Sequence, residues 1–319
     1  MSFGLRRLEL QIGDSTRQAF GEALAEAGSD ERIVVVDGDV NNSTYTNKFA
    51  TKYPERFFNV GIAESNLVGI ASGLAAAGKT PVAASFSTFL LSNAFDQIRM
   101  SVAFPNLNVK LAGSHAGISI GEDGPSQMAI EDVALACALP GFTVIVPADG
   151  PSARAATKAM IEREGPTYLR CGRPNVPIIH DDVSQFQIGR SIQLRDGDDI
   201  TIVANGIMVA MALDAAQGLA QEGLEARVID MHTVKPIDQA AIERAANETG
   251  GIVVAEEHLA YGGLGATVSM VVSERKPTRM AFVDLGDTYA TSGKPDELLA
   301  QYGLTPDAIV DAARRVLKD

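Results

Sequence analysis

Cysteine is scarce in this chain, with only Cys137 and Cys171 among 319 residues. Two thiols are too few for a disulfide framework, and no Cys-x-x-Cys or mixed His/Cys spacing suggests zinc, so both read as buried small hydrophobes. Long apolar runs are missing as well. The Ala-rich stretch 69–78 is broken by Gly and Ser and falls short of a membrane span. Residues 1–10 lack the apolar segment of a signal peptide, which makes the cytoplasm the default expectation. Positive charge is in deficit, 27 Lys and Arg against 40 Asp and Glu, for a formal net charge of −13. That balance argues against general nucleic-acid binding, because phosphate backbones are bound by basic faces. The few arginines therefore matter by position, since local guanidinium groups can hold an anion against the overall field.

A hydrophobic content of 46% supports cores of ordinary size, and the length accommodates two domains. Short apolar runs alternate with helical patterns, the mark of an α/β protein whose mostly parallel sheets are flanked by helices. The first domain is expected over residues 8–175, a linker over 176–192 and a second domain over 193–319. In the first, Asp14-Ser15-Thr16 precedes a helix reaching about Ala27, and strands fall at 33–36, 57–60, 80–85, 108–113, 143–146 and 167–169. A small-residue helix after Glu64 closes at Gly78, another runs from Phe89 through Ala103, and Pro151 stands at the first position of a helix reaching Glu164. Residues 174–193 show no helical period. Strands at 200–204, 226–230, 251–256 and 279–285 then alternate with amphipathic helices, the last capped by Thr305-Pro306.

The polar residues concentrate where strands give way to helices, the usual ligand position in open α/β sheets. Glu64 stands at such a turn, although an acid there also simply complements a helix dipole. Asp37-Gly38-Asp39, continuing through Asn42-Ser43-Thr44, leaves another strand; Asp and Asn also form such turns for local reasons. The run from Ser114 to Met128 packs a His, two acids and three Gly into one long loop, a composition suited to binding. Phe86 and Phe89, three apart, can face one side of a turn, though core packing is the ordinary role of a Phe pair. Arg170 and Arg173 follow a strand and could form an anion site or lie solvated. Asp196-Gly197-Asp198-Asp199 is a turn, Gly262-Gly263-Leu264-Gly265 lacks the spacing of a dinucleotide fingerprint, and His258 reads as structural.

Taken together, Asp37-Gly38-Asp39, Asn42-Ser43-Thr44, Ile62-Ala63-Glu64, Phe95-Asp96-Gln97-Ile98-Arg99, the His115 to Met128 loop and Arg173-Pro174 resemble the transketolases. These enzymes use thiamine diphosphate to move two-carbon ketol units between sugars. The landmarks keep family order from about Ser15 onward, and the wording Gly-Glu-Asp-Gly-Pro-Ser-Gln-Met looks most like the animal-type branch.

The resemblance implies a pyrimidine-binding domain followed by a transketolase C-terminal domain. It implies that Glu64 engages the cofactor's pyrimidine ring nitrogen, that Phe89, with Phe86 beside it, stacks on that ring, and that Asp39 contacts the cofactor. It implies further that His115 hydrogen-bonds the ketol oxygens, that Asp123 accepts from a sugar hydroxyl, and that Arg17, Ser43 and Arg173 hold the sugar phosphate. Gln127 occupies a position where many relatives carry His; an amide can orient oxygens there but cannot shuttle protons. The family's Gly-Asp-Gly motif with its distal Asn, which holds magnesium and the diphosphate, does not occur in this sequence. Thiamine diphosphate is thus the expected cofactor, with Mg2+ held by a partner subunit that carries the diphosphate-binding domain, and no metal ligands are expected here. Self-association through the pyrimidine domain and sugar phosphate substrates follow from the same resemblance. Competing readings are a deoxyxylulose-phosphate synthase-like or 2-oxo acid dehydrogenase beta-like subunit, and a non-catalytic regulatory subunit of the same fold.

Overall fold

The helix Thr16–Ala27 begins where its sequence signals it: the Ser15 hydroxyl accepts the Gln18 amide at 3.3 Å, satisfying one orphan donor of the first turn. In the computed structural model, which describes residues 3–318, fourteen strands follow one another along the chain. They are β1 (Ile12–Ser15), β2 (Ile33–Asp37), β3 (Phe57–Asn59), β4 (Thr80–Phe86), β5 (Lys110–Ser114), β6 (Thr143–Ile145) and β7 (Thr167–Arg170). After them come β8 (Asn175–Pro177), β9 (Ile192–Arg195), β10 (Ile200–Ala204), β11 (Ala226–Asp230), β12 (Thr233–Lys235), β13 (Ile252–Ala255) and β14 (Met280–Val283).

Seven strands form the larger sheet in the order β12-β6-β7-β5-β4-β2-β3, and five form the second in the order β14-β13-β10-β11-β9. Pairing is parallel within both except at β12 and β9, which lie antiparallel at sheet edges. Every residue of β2, β5, β10 and β11 is buried, as expected for parallel strands covered by helices on both faces. The two sheets do not have separate cores. Ile118, Ile120 and Met128 share one buried cluster with Ile202, Met208 and Leu298, and β12 extends the larger sheet from within the second half of the chain.

Several elements depart from expectation. The Phe89 to Ala103 region is not one regular helix: wide turns over Phe89–Asn93 and Ile98–Ala103 flank a short helix, Phe95–Gln97. Such π-type turns loosen the helical ladder locally and commonly lie beside functional sites. Pro151 takes the second helical position, because Asp149 is the N-cap of Gly150–Glu162 and makes a capping box with Ser152. Residues 174–193 are not wholly irregular, since β8 pairs with β1 and β9 begins at Ile192. Strand β3 is an exposed edge rather than a buried run. The helix Glu64–Ala76 closes as its sequence suggests, with Gly78 left-handed (φ +84°) and Lys79 N donating to the Leu74 carbonyl.

Candidate active site

Strands β2, β3, β4, β5 and β7 all end within about two residues of one another at the same edge of the sheet. Asp37 pairs with Asn59 and Ala84, Phe86 with Ser114, and Gly113 with Arg170. Their exits gather polar side chains over one edge of the sheet, where parallel α/β folds place ligands.

Glu64 is the first residue of its helix and is only 4% exposed. Ser85 Oγ, near the end of β4, donates to its Oε1 at 2.8 Å, and Asn93 Nδ2 approaches Oε2 at 3.5 Å. A Cβ on Gly38 would stand 3.1 Å from Ser85 Oγ, so glycine keeps the β2 exit clear of this hydroxyl. None of these supporting residues announces itself in the sequence, since Ser, Asn and Gly are common at any strand exit.

Next to Ser85, at the last position of β4, the Phe86 ring stacks on His115 with centroids 3.8 Å apart, and Phe89 lies nearly parallel to Phe86 at 6.3 Å. His115 has φ +60°, a left-handed conformation that costs a side-chain-bearing residue roughly 1–2 kcal/mol. Its Nδ1 lies 2.8 Å from Ser114 Oγ and its Nε2 lies 3.4 Å from Arg17 Nη1. Burial first, then the guanidinium groups of Arg17 and Arg173, push the imidazole down to about 3, so it stands neutral.

Arg17 reaches this cluster because Thr16 Oγ1 accepts the Gly172 amide at 2.8 Å, tying the helix start to the β7 exit. Its Nε donates to the Arg173 carbonyl (3.1 Å) and its Nη1 to the Ser43 carbonyl (2.8 Å). Arg173 Nη1 donates to the Ile120 carbonyl at 2.6 Å and lies 3.5 Å from Glu122 and 3.9 Å from Asp123. Among the described residues, Nη2 of Arg17 and both Nη2 and Nε of Arg173 make no hydrogen bond, leaving donors for an anion.

The remaining candidates are less engaged. Asp39, exposed and left-handed (φ +64°), accepts from Asn59 at 2.7 Å. Ser43 contributes its carbonyl to Arg17, and among the described residues the Gln127 side chain bonds only Ser126, at 3.4 Å. Arg170 is not part of an anion site. It is the last residue of β7, buried, and its Nε donates to Asp132 at 2.8 Å. Buried Asp37, the first residue of the Asp37-Gly38-Asp39 exit, accepts from the Val40 amide, Thr44 and Thr46 and so shapes that exit rather than facing a ligand. In the second half the Gly262 to Gly265 turn is filled by Glu256, which accepts the Leu264 and Gly265 amides at 2.7 Å. His258 is buried, its Nδ1 donating to the Leu259 carbonyl.

The arrangement offers a buried carboxylate at a helix N-terminus, a shelf of parallel rings, a neutral imidazole and two guanidinium groups. Among the described residues no group of three or more His, Cys, Asp or Glu is placed to hold a metal ion. No helix among them is long and apolar enough to cross a membrane.

Comparison with known proteins gives a consistent picture. The sequence matches the family description "Transketolase, pyrimidine binding domain" over residues 14–178 and "Transketolase, C-terminal domain" over residues 189–309. It is 40% identical to a putative transketolase C-terminal section of Methanocaldococcus jannaschii, covering 95% of each chain. It is also 40% identical to a 6-deoxy-6-sulfo-D-fructose transketolase subunit of Clostridium sp., covering 94% of each. Among solved structures, a split gene transketolase described as an inactive beta4 tetramer superposes with a TM-score of 0.90 at 46% identity, over 96% of this chain and 99% of that one.

Proposed function

The chain belongs to the transketolase family, and we propose that it is the C-terminal subunit of a split transketolase, moving a two-carbon ketol unit from a ketose phosphate to an aldose phosphate. The observation that carries this reading is the convergence of Glu64, Phe86, Phe89, His115 and Arg17 at the ends of adjacent parallel strands. The relatives of matching length support it, because they are described as a C-terminal section and as a subunit. In this assignment residues 8–175 form the pyrimidine-binding domain, 176–192 the linker and 193–319 the C-terminal domain.

Transketolases depend on thiamine diphosphate and a divalent metal; bound here, the cofactor would supply a nucleophilic carbon for the ketose carbonyl. Its pyrimidine half fits the residues present. Glu64 has one oxygen engaged by Ser85 and the other held only by the long Asn93 contact, which leaves it free to meet a ring nitrogen. Phe89, half-buried, offers a ring face, Phe86 is already covered by His115, and Asp39 lines the neighbouring exit. The diphosphate and magnesium are assigned to the partner subunit, because the family's Gly-Asp-Gly motif with its distal Asn does not occur in this sequence.

Around the sugar, the neutral His115 accepts from a ketol hydroxyl at Nε2, the sugar taking the place of the 3.4 Å Arg17 contact. Arg17, with Ser43 beside it, and Arg173 take the phosphate, whose charge suits the unpaired guanidinium nitrogens. Binding the phosphate away from the reacting carbon helps align it. Asp123 accepts from a sugar hydroxyl, and Gln127 orients oxygens without titrating.

Calorimetry on the purified chain tests the proposal. Thiamine diphosphate with magnesium should bind weakly or not at all to the chain alone, and binding and ketol transfer should appear together when the partner subunit is added. Micromolar, magnesium-dependent binding without a partner would overturn the split-enzyme reading.

A further inference from the structure

The loop that starts at His115 is built across the two halves of the chain. Its side chains Ile118, Ile120 and Met128 are buried among residues of the C-terminal half, and its backbone is met there by one carboxylate. Glu257, just beyond β13, is 4% exposed. It accepts the Ser119 amide at Oε1 (2.6 Å) and the Ser119 hydroxyl at Oε2 (3.2 Å). Gly117 is left-handed (φ +81°), and a Cβ there would overlap the Glu257 carboxyl group, so the loop backbone is moulded against it. Arg170 braces the same junction from the other side, its Nη2 donating to the carbonyls of Ala129 and Glu257, each at 3.0 Å. The Gly117 amide in turn donates to the Ala129 carbonyl at 2.8 Å, which closes the base of the loop.

Burying a carboxylate is costly unless its oxygens are used, and here both are used on a single loop residue. We propose that Glu257 is a positioning residue: through Ser119 the C-terminal half sets where His115 and Asp123 stand relative to the sugar. The kinetic consequence rests on the transketolase reading, whereas the ordering of the loop does not.

Hydrogen–deuterium exchange on the full chain reads the ordering. Glu257→Ala leaves the Ser119 amide without its acceptor, so amides of residues 117–121 should exchange about tenfold faster or more, with β2, β4 and β10 unchanged. Glu257→Gln should restore protection, because its carbonyl oxygen can accept the amide while its NH2 donates to Ser119 Oγ. If Glu257→Ala does not fold, Glu257→Asp takes its place: one methylene shorter at the same charge, it should loosen the same peptides. Wild-type exchange in residues 117–121, or acceleration spread evenly over the chain, overturns the proposal. With the partner subunit added, the Ala or Asp variant should raise KM for the donor ketose about tenfold with a smaller change in kcat, and Gln should reverse it. A loosened loop with unaltered kinetics would also overturn the positioning role. Absence of ketol transfer in the assembled wild type would instead strike the transketolase reading, and the exchange experiment would still decide the ordering.

Discussion

Nη1 of Arg17 lies 3.4 Å from Nε2 of His115, and this contact decides which imidazole nitrogen carries the proton. A guanidinium only donates, so Nε2 accepts and Nδ1–H donates to Ser114 Oγ at 2.8 Å. The lone pair facing the anion site is thus already committed to Arg17.

His115 should keep this neutral tautomer throughout the working pH range, because its pKa is lowered to about 3 from 6.5. The folded value lies below the unfolded one, so its contribution to stability is fully present above about pH 6.5 and is lost as pH falls toward 3. Nitrogen-15 NMR of labelled imidazoles reports both tautomer and charge. An imidazolium signal for His115 near pH 6 would contradict the assignment.

Ser85 is expected to set the orientation of Glu64. Ser85→Ala removes the 2.8 Å donor to Oε1 and leaves only the weak Asn93 contact. Losing a hydrogen bond to a buried acceptor costs about 1–3 kcal/mol, so deuterium exchange at the cofactor's reactive carbon should slow roughly 5- to 150-fold in the assembled enzyme. Glu64→Gln is the stronger companion and should nearly abolish that exchange. Wild-type exchange in either variant would separate these residues from cofactor activation.

Arg173→Ala should weaken phosphorylated donors by about 1.5–3 kcal/mol, roughly 10- to 150-fold in KM, with little effect on donors lacking the phosphate. Arg173 also holds the Ile120 carbonyl at 2.6 Å, so Arg173→Lys is needed to separate charge from loop support. An equal loss for both donor types would mark the residue as a brace for the loop.

Much of this architecture is legible in the sequence where the determinant is local. Ser15 before Thr16 starts a helix by capping chemistry alone, and Ile200–Ala204 is a short, nearly all-apolar run of strand length between turn residues. Strand β12 is hidden because Thr233–Lys235 is short and pairs with β6, far earlier in the chain, so no periodicity marks it. The candidate site divides in the same way. Glu64 is visible as an acid at a strand–helix turn, whereas the approach of Arg17 to His115 depends on Thr16 meeting Gly172 across the fold. Arg170 and Arg173 look alike in sequence and part company only in three dimensions, where one is buried against Asp132 and the other faces the site.

That contrast makes Arg170 a test of structure rather than of binding. Asp132, buried, receives Arg170 Nε at 2.8 Å and the Tyr168 hydroxyl at 2.6 Å through the same oxygen, and its other oxygen has no hydrogen-bond partner. Removing the cation leaves a buried carboxylate supported by one phenol. Arg170→Met should therefore destabilise the chain by about 3–5 kcal/mol, the cost of stranding one member of a buried pair. Adding Asp132→Asn removes the stranded charge and should recover part of the loss, since the amide still accepts from Tyr168. Urea unfolding of the isolated chain measures both variants without any cofactor or partner. A loss below about 1 kcal/mol for Arg170→Met would show that solvent reaches this cluster, and would return Arg170 to the group of residues that can serve an anion.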